Sequence, residues 1–257
     1  MTKIIAVTNQ KGGVGKTTTT VNLAASLAAV KRKVLLIDLD PQGNAAMGCG
    51  VDKANVRYSS CDLLLEDVPV TEMIISGEDI AFDIIAGNAD LTVAEVELMK
   101  MTQRERRLAD ALQQIKGVYD YILIDCPPSL NMLTLNAMVA ANSVLVPMQC
   151  EYYALEGLSA LMETLRNIQA TANPTLQLEG ILRTMFDNRS RLTKDVSAQL
   201  VEYFGDKIFT VCIPRNIRLA EAPSHGMPIL QYDKTSRGAV AYIALAGEII
   251  RKAEEKK

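Results

Sequence analysis

Short apolar runs alternate with longer segments of helical periodicity along most of this chain. Runs of strand length, apolar at successive positions and often rich in valine and isoleucine, occur at 3–8, 33–38, 82–86, 121–125, 143–147, 178–184 and 208–213. Helical patterns lie between them at 17–30, 91–115, 133–141, 154–170, 194–204 and 239–254. In the first of these helices, Leu23, Leu27 and Val30 form one apolar stripe.

Strands that are apolar at every position are buried on both faces, as in a parallel sheet covered by helices. The sequence therefore predicts an α/β fold, a doubly wound, mostly parallel twisted sheet flanked by helices. No linker rich in proline, glycine or serine and no internal repeat interrupts the pattern, so we expect residues 1–257 to form a single domain. The segment 43–76 is the least regular part.

Composition narrows the class of protein. Hydrophobic residues make up 49% of the chain, and no apolar run reaches the roughly 18 residues of a membrane span. The N-terminus has no secretory signal, so we expect a cytoplasmic protein. Five scattered cysteines and a single histidine argue against a disulfide framework and a zinc site. The net charge is −3, so any binding of nucleic acid must come from a local basic patch.

The strongest chemical signal is the sequence NQKGGVGKTT at 9–18, between a predicted strand and a predicted helix. Its glycines let backbone N–H groups turn toward phosphate oxygens, and the following helix adds its positive dipole end. In such a loop Lys16 reaches the β- and γ-phosphates and Thr17 ligates Mg²⁺. A turn that only joins strand to helix would explain the glycines but not the Lys-Thr pair. The predicted nucleotide-binding residues here are Lys11, Gly12, Gly13, Val14, Gly15, Lys16, Thr17 and Thr18.

This loop departs from the ordinary pattern, because Gln10 replaces a glycine and Lys11 adds a second lysine. It resembles the loop of the deviant Walker A family, whose members include the ParA/Soj partition ATPases, MinD and the nitrogenase iron protein. The resemblance implies an ATPase that uses ATP, ADP and Mg²⁺. It also implies a homodimer on ATP binding, in which Lys11 reaches the partner's nucleotide. Taken alone, Lys11 would be interpreted as a solvated surface lysine.

Two further motifs end predicted strands in carboxylates. LLIDLDPQG places Asp38 and Asp40 at the carboxyl end of one strand, beside the crevice where phosphates bind. ILIDCPPS is a Walker B pattern, which puts Asp125 near Mg²⁺. The resemblance implies that Asp40 positions or activates water and that Asp38 supports the Mg²⁺ environment, although either would also fit a turn cap. The predicted catalytic residues are thus Lys11, Lys16 and Asp40, and the predicted metal residues are Thr17, Asp38 and Asp125.

The later part of the chain is similar to the ParA/Soj chromosome-partition branch, in the segments PMQCEYYALEG, TMFD and IPRNIRLAEAPSHG. That branch implies that Pro214, Arg215 and Asn216 lie against the adenine base. It also implies nucleoid association and a ParB-type centromere-binding partner that stimulates hydrolysis. His225 has no visible acidic or nucleophilic partner in the sequence, so we interpret it as structural.

Two alternatives come from the same family. One is a MinD-like, membrane-associated division-site ATPase. MinD ends in a basic, bulky-apolar helix, whereas acids dilute the bases at this C-terminus, so we expect no membrane partner. The other is an ATPase coupled to electron transfer or to ligation of a small molecule. An iron–sulfur cluster shared by a dimer needs two suitable cysteines per chain, and only Cys126 is suggestive, so we interpret Cys126 as a packing residue.

Basic residues on one surface would bind DNA phosphates without sequence preference and with strong salt dependence. By resemblance, Arg189 and Arg218 contribute to a surface for non-specific double-stranded DNA that forms across the dimer. A basic cluster also fits a solvated face, which is our interpretation of the cluster at 100–107. The clusters that would reach DNA are Arg183, Arg189, Arg191 and Lys194, then Arg215 and Arg218, then Lys234 and Arg237.

Overall fold

The computed structural model describes residues 2–77, 80–152 and 154–255. Its strands are β1 (Lys3–Val7), β2 (Val34–Asp38), β3 (Ile75–Ser76), β4 (Asp83–Ile85), β5 (Tyr121–Asp125), β6 (Ser143–Gln149), β7 (Gln177–Phe186) and β8 (Ile208–Pro214). Its α-helices are α1 (Lys16–Ala29), α2 (Asn44–Gly48), α3 (Ser60–Leu65), α4 (Leu91–Leu98), α5 (Arg107–Leu112), α6 (Met132–Ala140), α7 (Ala154–Thr171), α8 (Arg191–Phe204), α9 (Ile217–Glu221), α10 (Ile229–Tyr232) and α11 (Arg237–Glu254).

The strands form one sheet in the order β3-β4-β2-β5-β1-β6-β7-β8. All neighbouring pairs are parallel except β3 with β4. This confirms the predicted α/β class and its mostly parallel sheet. Strand β5 lies on one side of β1 and β6 on the other, and ligands of such sheets bind outside the carboxyl ends of the strands at that point.

Each face of the sheet carries its own apolar core, because successive strand residues point to opposite faces. In β2, Leu35 and Ile37 pack toward α3 to α8, whereas Leu36 packs toward α1, α2, α10 and α11. Helix α11 lies on α1 and β8 and buries Tyr242 and Ile249 between them. Among the described helices, none combines the length and the apolar composition that a bilayer span requires.

The seven predicted strands are present, and the expected irregular segment 43–76 holds only short elements. The expectation of one continuous helix over 91–115 is wrong, because the chain turns between α4 and α5. Gln103 has a left-handed φ of 52° there, which a helix interior does not tolerate. The side chain of Asn136 in α6 stabilises the turn by accepting from the Leu108 N–H at 3.2 Å and donating to the Arg104 carbonyl at 2.8 Å. Periodicity cannot reveal a break that a distant side chain supports.

Candidate functional site

The glycine-rich loop, residues 9–15, joins β1 to α1 at the carboxyl edge of the sheet. Gly13 and Gly15 have φ angles of 73° and 86°, in the left-handed region that favours glycine. A Cβ at Gly12 would meet open space. Gly15 occupies the N-cap of α1 and no side chain caps this helix. The first N–H groups of α1 and its positive dipole end therefore favour an anion at this point.

Lys16 is only 6% exposed, and its Nζ donates to the Lys11 carbonyl at 3.2 Å, which closes the loop. Burial lowers the pKa of Lys16, while the negative charges of the nearby Asp125 and Asp40 act in the opposite direction. An ammonium group kept largely out of water interacts strongly with an anion, because screening is weak there. Lys16 is therefore suited to hold phosphate oxygens next to the first turn of α1.

Asp38 and Asp125 are neighbours across β2 and β5, and both are fully buried. Burial is the main cause that raises the pKa of each carboxyl group. The charge of Asp38 raises the pKa of Asp125 further, and the charge of Asp40 does the same for Asp38. Two carboxylates in a dry site are stable together only when a proton or a cation accompanies them.

One oxygen of Asp125 is free for such a cation. Its Oδ1 accepts from the Thr20 hydroxyl at 3.0 Å, whereas the buried Oδ2 has no hydrogen-bond partner among the described residues. The Thr17 hydroxyl lies close enough to lower the pKa of the same carboxyl group. A hydroxyl and one carboxylate oxygen fit Mg²⁺, which takes few protein ligands and completes its shell with water and phosphate oxygens. The described residues hold no cluster of three or more His, Cys, Asp or Glu side chains able to bind a metal by themselves.

Asp38 holds the backbone that follows β2. Its Oδ1 accepts from the Asp40 N–H at 3.1 Å, and its Oδ2 accepts from the N–H groups of Ala45 and Ala46 at 3.0 and 3.1 Å. Asp40, which is 8% exposed, accepts from the Gln42 N–H at 2.9 Å and lies near Lys16. Asp38 is thus at least a positioning residue for Asp40, and its place beside Asp125 keeps it in the predicted metal environment.

A mostly apolar cavity of about 410 Å³ opens beside the glycine-rich loop, and we call it the side cavity. Gly15 and Thr18 form its wall on the loop side, and Pro214, Arg215 and Asn216 form the opposite wall. The structure therefore brings the turn 214–216 next to the loop, although the two are far apart in sequence. An apolar cavity of this size with a few polar groups suits a planar base.

Lys11 points away from the interior of its own loop. Its Nζ pairs with the Glu151 carboxylate at 2.5 Å, and both side chains are about half exposed. Exposed ion pairs contribute only about 0–1 kcal/mol, so little free energy is needed to release Lys11. Sequence reasoning assigned no role to Glu151, because the pairing depends on β6 ending beside the loop.

Other supporting residues were missed by the sequence analysis. The Gln149 Nε2 donates to the Gly13 carbonyl at 3.1 Å, and the Thr184 hydroxyl donates to the carbonyl of the buried Val14 at 2.8 Å. The ends of β6 and β7 thereby support the loop. Thr20 was predictable, since it lies one helical turn after Thr17 and shares its face. The two strand contacts required the order of the sheet.

The two arginines expected at a DNA surface are exposed, and each is paired with acid. Arg189 is 87% exposed and its Nε lies 3.0 Å from Oδ1 of Asp187. Arg218 contacts Glu221 at 2.8 Å and Asp233 at 3.7 Å. Both side chains can therefore reach a partner from the surface.

Arg183 does not belong to that surface, which corrects its place in the first basic cluster. Its guanidinium is partly buried and donates to the Ser197 hydroxyl at 2.8 Å and to the Phe209 carbonyl at 2.7 Å. Of the two positions interpreted as structural, Cys126 is fully buried, whereas His225 is exposed and its ring stacks on Tyr232 with 4.9 Å between centroids.

Gly87 follows β4 and packs against Asp38. No motif in the sequence indicated this contact. A Cβ there would lie 2.6 Å from the Asp38 carbonyl oxygen and 3.0 Å from its carboxyl carbon. We expect Gly87→Ala to lower the free energy of unfolding by about 1–3 kcal/mol, because the backbone must shift. Chemical denaturation measures this. Gly247→Ala, in open space on α11, is the control and should be neutral or slightly stabilising. Equal stability of the two variants would contradict the close packing.

Comparison with known proteins extends over nearly the whole chain. A family model described as AAA domain matches residues 2–178. The sporulation initiation inhibitor protein Soj of Bacillus subtilis (strain 168) is 52% identical over 249 residues, which cover 97% of this chain and 98% of Soj. The chromosome partitioning protein ParA of Myxococcus xanthus (strain DK1622) is 50% identical over 250 residues, 97% of this chain and 88% of that protein.

Solved structures agree with the architecture. Cobyrinic acid a,c-diamide synthase from Mycobacterium smegmatis, with bound ATP analog and magnesium, has a TM-score of 0.87 at 35% identity and covers 100% of this chain and 98% of its own. The septum site-determining protein MinD from Pyrococcus horikoshii OT3, complexed with Mg-ADP, has a TM-score of 0.82 at 28% identity. That match covers 100% of this chain and 99% of the MinD chain. The sheet and its flanking helices are therefore shared with nucleotide-bound relatives.

Proposed function

This chain belongs to the ParA/Soj family of chromosome-partitioning ATPases, and from that premise we propose that it is a DNA-segregation switch driven by ATP hydrolysis. In this proposal ATP and Mg²⁺ join two subunits into a dimer, the dimer binds DNA without sequence preference, and hydrolysis releases it. A ParB-type partner accelerates hydrolysis, and the protein is cytoplasmic and associated with the nucleoid.

The observation that carries the proposal is the meeting of a buried lysine with three carboxylates at one edge of the sheet. The negative charges of Asp125 and Asp40 raise the pKa of Lys16, and Asp38 is the neighbour of Asp125 in the adjacent strand. The loop N–H groups and Lys16 would bind the phosphates of ATP, and the side cavity would take the adenine. Thr17 and Asp125 would hold Mg²⁺, with Asp38 behind them, and the ion would neutralise phosphate charge.

Hydrolysis needs a positioned water and stabilisation of the charge on the phosphoryl group in transfer. Asp40 is held beside the crevice by its turn to Gln42, so it would orient the water and accept its hydrogen bond. Lys16 would stabilise the charge from within the same subunit. Lys11 would exchange Glu151 for the partner's nucleotide and stabilise the charge from the other side.

Loss of the γ-phosphate would remove the contacts that favour the dimer, since a ligand shifts an equilibrium only by its differential affinity. Arg189 and Arg218 would each occur twice in the dimer. The doubled surface would bind DNA far better than one subunit, because phosphate neutralisation adds with every contact.

The MinD-like alternative receives less support from the C-terminal helix. Tyr242, Leu245 and Ile249 of α11 are buried inside the protein, so this apolar face is already used in packing. A helix that targets a membrane surface needs such a face free for the lipid.

Duplex-DNA binding across a salt series, with ATP, ADP and no nucleotide, tests the proposal. We expect wild-type binding only with ATP and a steep fall with salt. Lys11→Ala should lose ATP-dependent binding, and Arg218→Glu should lower affinity by about tenfold or more while it still binds ATP. The control is Arg106→Glu, a half-exposed arginine paired with Asp110 on α5, which should bind as wild type does.

The opposite result is equally clear. If the dimer formed with ATP does not bind DNA at low salt and binds liposomes instead, the proposed DNA-segregation function is wrong and the MinD-like function replaces it.

A further inference from the structure

Met185 lies in the segment TMFD at the end of β7 and has an unusual backbone conformation. Its φ is 48°, and among the described non-glycine residues it alone combines a left-handed φ with a place inside a strand. Between Arg183 and Phe186 strand β7 advances three residues, whereas β8 advances two, from Cys212 to Pro214. The extra residue makes a β-bulge at the carboxyl end of β7.

The left-handed conformation is unfavourable for methionine, because the Cβ of such a residue lies too close to the following carbonyl oxygen. Glycine or asparagine would form the same bulge at a lower cost in free energy. Strained residues of this kind persist only where surrounding contacts hold them, and they cluster at ligand sites. The identity of residue Met185 therefore indicates that its side chain has a use beyond ending the strand.

The side chain of Met185 is partly buried and lines the side cavity, where the proposed ATP site places the base. Thr184 lines the same cavity, and the turn 214–216 forms its opposite wall. A thioether is polarizable and adaptable, and it makes favourable contacts with aromatic rings. Met185 therefore offers the flat face of a base an apolar surface on the β7 side of the cavity.

The contacts of the bulge lead to the glycine-rich loop. The Thr184 hydroxyl donates to the Val14 carbonyl at 2.8 Å. The Nε2 of Gln149 donates to the Gly13 carbonyl at 3.1 Å and also to the Met185 thioether sulfur. An amide NH₂ has two hydrogens, so one side chain makes both contacts. The group that supports the loop therefore also holds the Met185 side chain beside it.

We propose that Met185 contacts the base of the bound nucleotide and that its left-handed backbone is retained because it brings the thioether to the side cavity. This assignment rests on the proposed ATP site, since it takes the side cavity as the place of the base. It adds to the turn 214–216 a second base contact, from the opposite part of the chain's sheet.

The test compares the affinities of the full-length protein for ADP and for pyrophosphate, each with Mg²⁺, by isothermal titration calorimetry. Wild type should bind ADP more tightly than pyrophosphate, because only ADP carries a base. Met185→Ala should weaken ADP binding about tenfold, since apolar groups lost from a binding pocket change affinity by about that factor or more. Its affinity for pyrophosphate should stay that of wild type. Met185→Leu keeps an apolar side chain of similar volume and should retain most of the ADP affinity.

Two further variants separate the base contact from an effect on stability. Met185→Gly removes the same side chain and relieves the left-handed backbone, so its Tm should exceed that of Met185→Ala by about 2–4 °C. It should nevertheless bind ADP as weakly as Met185→Ala does. Met99→Ala, at an exposed methionine that follows α4, is the matched control and should bind both ligands as wild type does.

Three results would overturn the proposal. Equal losses of ADP and pyrophosphate affinity in Met185→Ala and Met185→Gly would mean that Met185 only supports the glycine-rich loop. Wild-type ADP affinity in both variants would mean that the base does not touch Met185, and the proposed ATP site would stand. If wild type binds pyrophosphate as tightly as ADP, the base does not use the side cavity, and this assignment falls together with that part of the proposed function.

Discussion

Lys16→Ala is expected to lower the rate of phosphate release from ATP by about 10²–10³-fold, because removal of one preorganised charge at a reacting group costs about that much. The side chain is 6% exposed and points into the crevice with Asp40 and Asp125, so water cannot replace it effectively. ATP with Mg²⁺ should raise the Tm of wild type, since a ligand that binds only the folded state stabilises it. Lys16→Ala should lose this shift. Phosphate release and thermal unfolding with and without ATP measure both effects.

Lys100→Ala is the matched control, because Lys100 is an exposed lysine paired with Glu97 on the surface. It should retain both the turnover and the thermal shift. Turnover of Lys16→Ala within about threefold of wild type would mean that the glycine-rich loop does not bind the reacting phosphate.

We expect Asp125→Asn to lower the rate of ATP turnover and, at the same time, to raise the stability of the nucleotide-free protein. It should reduce Mg²⁺-dependent turnover by about 10²-fold or more, because the free carboxylate oxygen that faces the proposed ion is removed. It should also raise the Tm of the nucleotide-free protein at pH 8 by several degrees, because a buried charge next to Asp38 is removed with little change of shape. A Tm gain of about 2–4 °C per kcal/mol applies to a chain of this size.

The pH dependence follows from the direction of the pKa shifts. Burial raises the pKa of both Asp38 and Asp125 above that of an unfolded aspartate, about 4. A carboxyl group whose pKa is higher in the folded state binds its proton more tightly there. Its contribution to the free energy of unfolding is complete below the pKa of the unfolded state and is lost as the pH rises through the pKa of the folded state. The nucleotide-free wild type should therefore lose stability as the pH rises from about 4 to about 8, and Asp125→Asn should show a flatter profile. Thermal unfolding across that range measures the difference.

Asp110→Asn removes the same charge from an exposed site on α5 and is the control for net charge. It should follow the wild-type profile. Two results would contradict this account: Asp125→Asn is less stable than wild type at pH 8, or its stability depends on pH as that of wild type does. Asp38 and Asp125 would then not be a buried pair with raised pKa values.

Sequence and structure agree best on the candidate site residues that lie at the ends of strands. Asp40 and Asp125 each lie at the end of an apolar run, Lys16 follows the loop after β1, and parallel strands gather their carboxyl ends at one edge. The sequence could therefore predict that these side chains meet, although it could not predict that β5 lies between β2 and β1. That order decides which carboxylates become neighbours, and so why Asp38 and Asp125 share one dry site.

The surface was harder to predict, because the state of a charged side chain depends on neighbours from other elements. Arg183 and Arg189 belong to one basic cluster in the sequence, yet the first is tied to Ser197 and the second extends from the surface. Lys11 is paired with Glu151 because β6 ends beside the loop.

By itself the sequence determined the α/β class, the glycine-rich loop and the carboxylates at the strand ends, because local periodicity and short motifs encode strands, turns and the residues that follow them. Only the tertiary structure decided the close approach of Gly87 to Asp38, the break between α4 and α5, and the position of the turn 214–216 beside the glycine-rich loop. Each of these depends on segments distant in the chain that packing brings into contact, and no local pattern records such a contact.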